Sequence, residues 1–361
     1  MSRKPGDTRL RSGWTTGACA AAAARAALAA LRSGTFAESV TIRLPKGQTP
    51  CFDLVEKSLG DGWARAAVVK DAGDDPDITH GATIRATIRP AAPGSGLVFR
   101  AGEGVGTVTK PGLPVPPGEP AINPKPREII ADNLADVAGG ALDLEVEISI
   151  DDGAALAEKT WNPRLGIVGG LSVLGTTGVV IPYSCAAWIH SIHRGIDVAR
   201  ATGLTHVAAA TGKTSEAAVR ARYGLPLEAM IDMGDFAGGM LKYLRRNPLP
   251  TVTIAGGFAK LAKLAQGHMD LHSSRSTLDL SKLALTAGTI GAGPRLQAAI
   301  AGANTGAEAL GLCREAGIPL AETIARQARD TALASAGATG IAVMVVGRTG
   351  EILAETGGPD S

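Results

Sequence analysis

Aromatic side chains are scarce in this chain of 361 residues: five Phe, three Tyr and four Trp amount to 3% of it. The core must therefore be assembled from Ala, Val, Ile and Leu, and the 47 glycines point to many turns and close backbone approaches. Cysteine is sparse as well. Cys19, Cys51, Cys185 and Cys313 lie far apart with no CxxC pair, which excludes a zinc knuckle or a disulfide scaffold and suits reduced thiols in the cytoplasm. An excess of either charge is also missing: 36 Lys and Arg against 34 Asp and Glu leave +2, too little for a strongly electrostatic nucleic-acid binder. Local basic pockets for an acidic small molecule stay compatible with that balance. No stretch is apolar enough to span a bilayer. The run from Arg3 to Ala30, basic and then Ala-rich, imitates a signal peptide, but Arg25 interrupts it and it reads as a soluble helix after Gly17.

At this length two domains are expected, 1–155 and 156–361, without an internal repeat or a low-complexity linker between them. The first half alternates at period two. Ile84, Ala86 and Ile88 share one face of a strand, and LEVEISI from Leu144 to Ile150 repeats the pattern. Val40 to Leu44, Cys51 to Ser58 and Trp63 to Lys70 add strands, the last two joined as a hairpin across Gly60, Asp61 and Gly62. A helix starts at Asn123-Pro124, where Asn can cap and prolines suit the first turn. This is an α+β unit. From Leu165 the rhythm changes to short apolar strand, Gly turn, helix: LGIVGG, HVAAATG, AMIDMG and TVTIAGG each precede a helical pattern. That predicts an α/β, Rossmann-like domain with a mostly parallel sheet, which binds ligands beyond the carboxyl ends of its strands. IAVMVV at Ile341 to Val346, with a turn at Thr349-Gly350, reads as a final hairpin.

The segment KDAGDDPDITHG, from Lys70 to Gly81, packs Asp71, Asp74, Asp75 and Asp77 with His80 into a turn broken by Gly and Pro. Carboxylates held in a fixed array suit a metal, a base or a cation site. GIVGGLSVLGTTG supplies Gly169, Gly170, Gly175 and Gly178 with the hydroxyls of Thr176 and Thr177, either for a nucleoside or carboxylate or for tight packing alone. It is not a clean GxGxxG. TGKTS at Thr211 to Ser215 lacks the first glycine of a P-loop, leaving a helix N-terminus that caps itself or binds an anion. Asp232 and Asp235 follow a strand, where an acid holds ribose hydroxyls or caps a helix. His268 and His272 lack the helical setting and the glutamate of a zinc protease and read as substrate contacts or loop bonds. The Gly- and Pro-rich stretch from Gly102 to Arg127 reads as an ordered loop, whose Lys110, Lys125 and Arg127 can pair with ligand carboxylates or form a solvated flap.

Six segments in order resemble the cobalt-precorrin-5B C(1)-methyltransferase family (CbiD family) of cobalamin biosynthesis. They are GWTTGACAAAAARAAL, VVKDAGDDPDITHG, GEGVGTVTKPGL, EPAINPKPR, NPRLGIVGGLSVLGTTGVV and MGDF. AGGFAKLAKLAQGHMDLHS resembles a further family segment, with Gly257-Phe258 and Ala259 where the family has Gly-His and Gly. The resemblance implies an N-terminal domain similar to ribosomal protein S5 domain 2. It also implies methyl transfer from S-adenosylmethionine (SAM) to ring carbon 1 of cobalt-precorrin-5B, giving cobalt-precorrin-6A and S-adenosylhomocysteine. Cobalt then enters only inside the substrate, with no metal ligated by the protein. On that reading SAM lies along Gly169, Gly170, Thr176, Thr177 and Gly178, with Asp232 or Asp235 on the ribose. Asp74, Asp75 or His80 acts as base. Thr15, Thr16, Lys46, Lys70, Lys110, Lys125, Arg127, His268 and His272 meet the tetrapyrrole, the only partner implied; no nucleic acid or membrane is expected, and a homo-oligomer is left open. The alternatives are a nicotinamide oxidoreductase and a non-catalytic corrinoid or cobalt carrier.

Overall fold

The computed structural model describes residues 10–140 and 142–358, so the part of the Arg3 to Ala30 run before Leu10 lies outside the described residues. The chain divides into two units, Met1–Cys185 and Ala186–Ser361.

In the first unit β1 (Gly13–Trp14) leads into α1 (Thr16–Ser33). Thr15 starts this helix by accepting from the Ala18 N–H, and Gly34, at φ +79°, ends it with its own N–H on the Ala30 carbonyl. Alanine has the best helix propensity and the smallest side chain, so α1 can be enclosed; from Ala18 to Ala24 no residue is exposed. β2 (Ser39–Thr41) pairs with β3 (Cys51–Asp53), and β4 (Glu56–Gly60) and β5 (Trp63–Val69) form the expected hairpin with Asp61 and Gly62 at its tip. β6 (Thr83–Pro90), β7 (Leu97–Ala101), β8 (Thr107–Val108), α2 (Pro124–Ala138), β9 (Leu144–Ile150) and α3 (Gly153–Ala157) follow. The main sheet has the order β4-β5-β6-β9-β7 and is antiparallel except where β7 meets β9. Ile84, Ala86 and Ile88 of β6 and Val146, Ile148 and Ile150 of β9 are buried in one core with α1, as the alternation predicts. Asn123 occupies the N-cap of α2 without a side-chain capping bond, so the expected Asn cap is only positional, and the prolines of the first turn do the work of starting the helix.

Two short strands correct the sequence reading. β10 (Ile167–Val168), expected to open the parallel sheet, pairs antiparallel with β8, inside the stretch read as a loop. β11 (Val179–Val180) pairs with β1. These pairings fasten residues 156–182 to the first unit.

The second unit runs α4 (Cys185–Ala201), β12 (His206–Ala210), α5 (Lys213–Tyr223), β13 (Met230–Asp232), α6 (Ala237–Leu244), β14 (Thr251–Gly257) and α7 (Phe258–Ala265). α8 (Leu280–Thr289), α9 (Pro294–Ala301), α10 (Gly306–Glu315) and α11 (Leu320–Ala336) come next, then β15 (Gly340–Val346) and β16 (Ile352–Thr356). The sheet order is β13-β12-β14-β15-β16, parallel except for β16. Val207 to Ala210, Val252 to Ala255 and Ile341 to Val346 are buried runs, as strands covered on both faces require. The chain passes from β12 to β13 on one side and then to β14 on the other, so the order reverses between β12 and β14. Among the described residues no helix is long and apolar enough to cross a membrane.

Candidate functional site

In the first unit, the aspartate segment is a cross-linked turn rather than an open acidic patch. Asp71 pairs with the Arg11 guanidinium through both oxygens and accepts from the Gly73 N–H at 2.9 Å. The Arg11 bond, then the Gly73 N–H, hold its carboxyl down at about 2. Asp77 accepts from the Lys70 ammonium at 2.6 Å and from the N–H and hydroxyl of Thr79 at 2.8 and 2.6 Å. Burial pushes its carboxyl up, but Lys70 and the Thr79 donors outweigh that and leave it below the ordinary value. Lys70 is 1% exposed, so the ammonium proposed for substrate already has its partner inside the protein. Asp74 and Asp75 each give one oxygen to a backbone N–H, of Arg11 at 2.5 Å and of Tyr183 at 2.8 Å. His80 accepts from the Ala72 N–H on Nδ1 at 3.1 Å, which leaves the proton of a neutral ring on Nε2 and equips it to donate there.

The backbone comes very close beneath this turn. A Cβ on Gly13 would stand 2.0 Å from the Ala72 carbonyl carbon, so only glycine lets β1 lie against the turn. The Gly-rich segment 169–178 forms the other side of the same rim. Thr16 Oγ1 donates to the Leu174 carbonyl at 3.2 Å and accepts from the Leu174 N–H at 3.0 Å. The Thr15 side chain fills the space where Gly175 would carry a Cβ, and the Thr15 N–H donates to the Gly178 carbonyl at 3.0 Å. Gly170 lies against the backbone of Gly104, Gly178 against Leu44, and Thr177 Oγ1 bonds Val179. Gly169 and Thr176 are exposed. Around this rim Ile78, Leu174, Ile181 and Tyr183 expose large apolar surfaces, Tyr183 from a left-handed backbone at φ +55°.

The cations read from the loop fall into different settings. Arg127 donates to the carbonyls of Ile122 and Pro120 and to Glu119, and stacks 5.1 Å over Phe99, so it fastens the loop before α2. Lys125 is paired with Glu128 at the surface, and Lys110 lies along the backbone at Gly166.

In the second unit the carboxyl ends of β12, β13 and β14 form one edge. Asp232 closes β13, and its carbonyl accepts from Trp188 Nε1 at 3.0 Å. Lys260 Nζ donates to the Thr211 carbonyl at 3.0 Å and stands 3.0 Å from Asp235 Oδ1. That oxygen is buried and has no aligned hydrogen bond, so the contact with Lys260 is an ion pair and not a hydrogen bond. Lys263, buried, donates to the Leu271 carbonyl and fixes the loop that carries the two histidines. His272 bonds Ser274 within that loop, while the His268 N–H donates to the Lys263 carbonyl; neither residue is on a helix. The sequence signal for Lys260 and Lys263 was their place in the matched segment, whereas nothing local marked Arg11, Tyr183 or Trp188.

Among the described residues, no group of three His, Cys, Asp or Glu is placed to hold a metal ion. A groove of about 540 Å³ along α7, α8 and α11, lined by residues such as Lys282, Leu285 and Asp330, holds none of the residues above.

Comparison with known proteins bears on both units. The CbiD family profile matches residues 3–182 and the profile of the CbiD C-terminal domain matches 270–357. A Paramagnetospirillum magneticum protein named cobalt-precorrin-5B C(1)-methyltransferase is 60% identical over 351 residues, 96% of this chain and 98% of its own length. A Halorhodospira halophila protein of the same name is 60% identical over 329 residues, 90% of this chain and 88% of its own. A crystal structure of a cobalamin biosynthesis protein (cbiD) from Archaeoglobus fulgidus is 28% identical, with a TM-score of 0.40, covering 74% of this chain and 83% of that one.

Proposed function

The chain belongs to the CbiD family, and from that premise we propose that it is a SAM-dependent C-methyltransferase that methylates ring carbon 1 of cobalt-precorrin-5B in cobalamin biosynthesis. The observation that carries this is identity of 60% over 96% of the chain to a protein of that name. SAM supplies an electrophilic methyl group on a sulfonium. The carbon–sulfur bond breaks as the new carbon–carbon bond forms at ring carbon 1, and S-adenosylhomocysteine leaves. The protein needs no covalent intermediate, and positioning carries most of the catalysis.

The first unit, read as an S5 domain 2-like fold, is assigned to the macrocycle. Its rim offers the apolar surface a flat conjugated ring requires, through Leu174, Ile181 and Tyr183, and exposed lysines such as Lys46 and Lys125 suit carboxylate arms. Arg11 and Lys70 neutralise Asp71 and Asp77, so the turn repels a polycarboxylate less than four free acids would. Asp74 and Asp75, which each accept from a backbone N–H, are suited to attract the sulfonium or to take the proton the macrocycle releases once ring carbon 1 is quaternary. The second unit, read as Rossmann-like, is assigned to the donor, at the edge that holds Asp232 and Asp235. Asp235 Oδ1, already ion-paired with Lys260, holds that edge together rather than offering a free charge to a ligand.

Incubation with methyl-labelled SAM and cobalt-precorrin-5B should place one label on ring carbon 1. An unlabelled tetrapyrrole, alongside an active relative as control, would refute the assignment.

A further inference from the structure

Three glycines stand in a row at the carboxyl edge of the parallel sheet. Ala210 of β12 faces Asp232 of β13 on one side and Ala255 of β14 on the other, and two residues beyond that rung come Gly212, Gly234 and Gly257. Gly234 has a reason of its own, a left-handed backbone at φ +56°. The other two have none. Gly257, at φ −67° and ψ 150°, and Gly212, at φ 164° and ψ 174°, are extended and open to any residue. A Cβ on either would meet nothing within 4 Å, whereas one on the neighbouring Gly256 would meet Thr211 Oγ1 at 2.8 Å. Neither torsion nor packing requires glycine at 212 or 257, yet both flank the place where the strand order reverses, where open α/β sheets receive their ligands. The space beside both glycines is open, as it is at Gly140, Gly293 and Gly311, but only these two sit at that switch point, where a ligand can approach the backbone.

Beside the row stands Trp188, one of only four tryptophans and 42% exposed. Its Nε1–H is anchored on the Asp232 carbonyl at 3.0 Å, and its ring lies 3.5 Å from where Gly234 would carry a Cβ. Phe236 buttresses it at a centroid distance of 6.3 Å. An anchored aromatic face next to a strand-end carboxylate offers a base something to stack on and ribose hydroxyls something to donate to. We propose that the adenosine of SAM stacks on Trp188 with its ribose at Asp232, and that its methionine arm lies across Gly212 and Gly257. This assignment rests on the reading that the chain uses SAM and replaces the 169–178 segment as the donor's bed. Lys260, bound to the Thr211 carbonyl and paired with Asp235, is a positioning residue that joins the loops after β12 and β13.

Calorimetric titration of the full chain with S-adenosylhomocysteine tests this without the tetrapyrrole. Gly212→Ala and Gly257→Ala should each weaken binding about tenfold with an unchanged melting temperature, because the added methyl meets only ligand. Trp188→Leu should weaken it about tenfold or more, and Trp188→Phe should recover most of the loss. Gly169→Ala and Thr176→Val should bind as wild type does. If the wild type binds but the 212, 257 and 188 variants all stay within about threefold of it, the location is wrong and the SAM reading stands. If the wild type does not bind at all, the SAM reading fails first and this assignment with it. Should the glycine variants lose stability as well as affinity, the Trp188 pair decides: equal loss in Leu and Phe overturns the stacking role.

Discussion

Replacing Asp77 by Asn should strand a charge. Lys70 is 1% exposed and its Nζ lies 2.6 Å from Asp77 Oδ2, so burial leaves the ammonium poorly solvated once the carboxylate is lost. At an effective dielectric of 20 the attraction at that separation is on the order of 6 kcal/mol, and the desolvation of both ions offsets much of it. Removing one partner of a buried pair costs about 3 to 5 kcal/mol; because the Asp77 side chain is 24% exposed, the lower end, about 3 kcal/mol, applies here. Asn can still accept from Thr79, so the loss isolates the ion pair. For a unit of this size it amounts to a fall of about 6 to 12 °C in the first melting transition, read by scanning calorimetry. Lys70→Met alone should cost less, about 1 to 2 kcal/mol, since Asp77 keeps the Thr79 donors and some water. The double variant should be more stable than Asp77→Asn, because no ammonium is left behind. The reasoning fails if Asp77→Asn stays within about 1 kcal/mol of wild type, or if the double variant loses the sum of the two single losses.

Asp74→Asn and Asp75→Asn should lower kcat at least tenfold with less than about 1 kcal/mol lost in stability, since an amide oxygen still accepts from the Arg11 and Tyr183 N–H groups; a stability loss with normal turnover would reverse the division of labour within the turn. Asp71 titrates at about 2 in the fold against about 3.9 when unfolded. A lowered carboxyl stabilises fully above the unfolded value and loses that contribution as the pH falls from about 4 to 2. Because Asp71 is nearly half exposed, screening limits this to about 1 kcal/mol. Asp71→Asn should accordingly flatten the stability profile in that window, as followed by circular dichroism, and an unchanged slope would remove the Arg11 lock from the account.

Where side-chain period decides an element, the structure was legible. β6 and β9 alternate cleanly, and the strands at 206–210 and 251–257 stand between Gly turns and helices as their sequence implies. Ile167–Val168 was misread because a two-residue apolar run before glycines looks the same whether it enters a parallel sheet or crosses a loop. Its partner Thr107–Val108 was concealed in a Gly- and Pro-rich stretch. The tail did form a hairpin, but its first strand also lies parallel to β14, and six consecutive apolar residues were the sign that both of its faces are covered. Within the site, the acids were visible and their partners were not. Arg11 and Asp71 are 60 positions apart, so local pattern could not show which acids were neutralised. The glycine row was invisible for a similar reason: 47 glycines look alike until the fold shows which of them nothing in the chain demands.

Pairing β1 with β11 has a consequence for synthesis. Trp14 waits for Val179, 165 residues later (179 − 14), before its last backbone bonds can form. At about 5 to 20 residues per second, a nascent chain carries the alanine helix without its final strand contact for roughly 8 to 33 s. The two-residue strand therefore acts as a clasp that fastens last, and a ribosome stalled before codon 179 should hold a first unit that proteases still open at its amino-terminal edge.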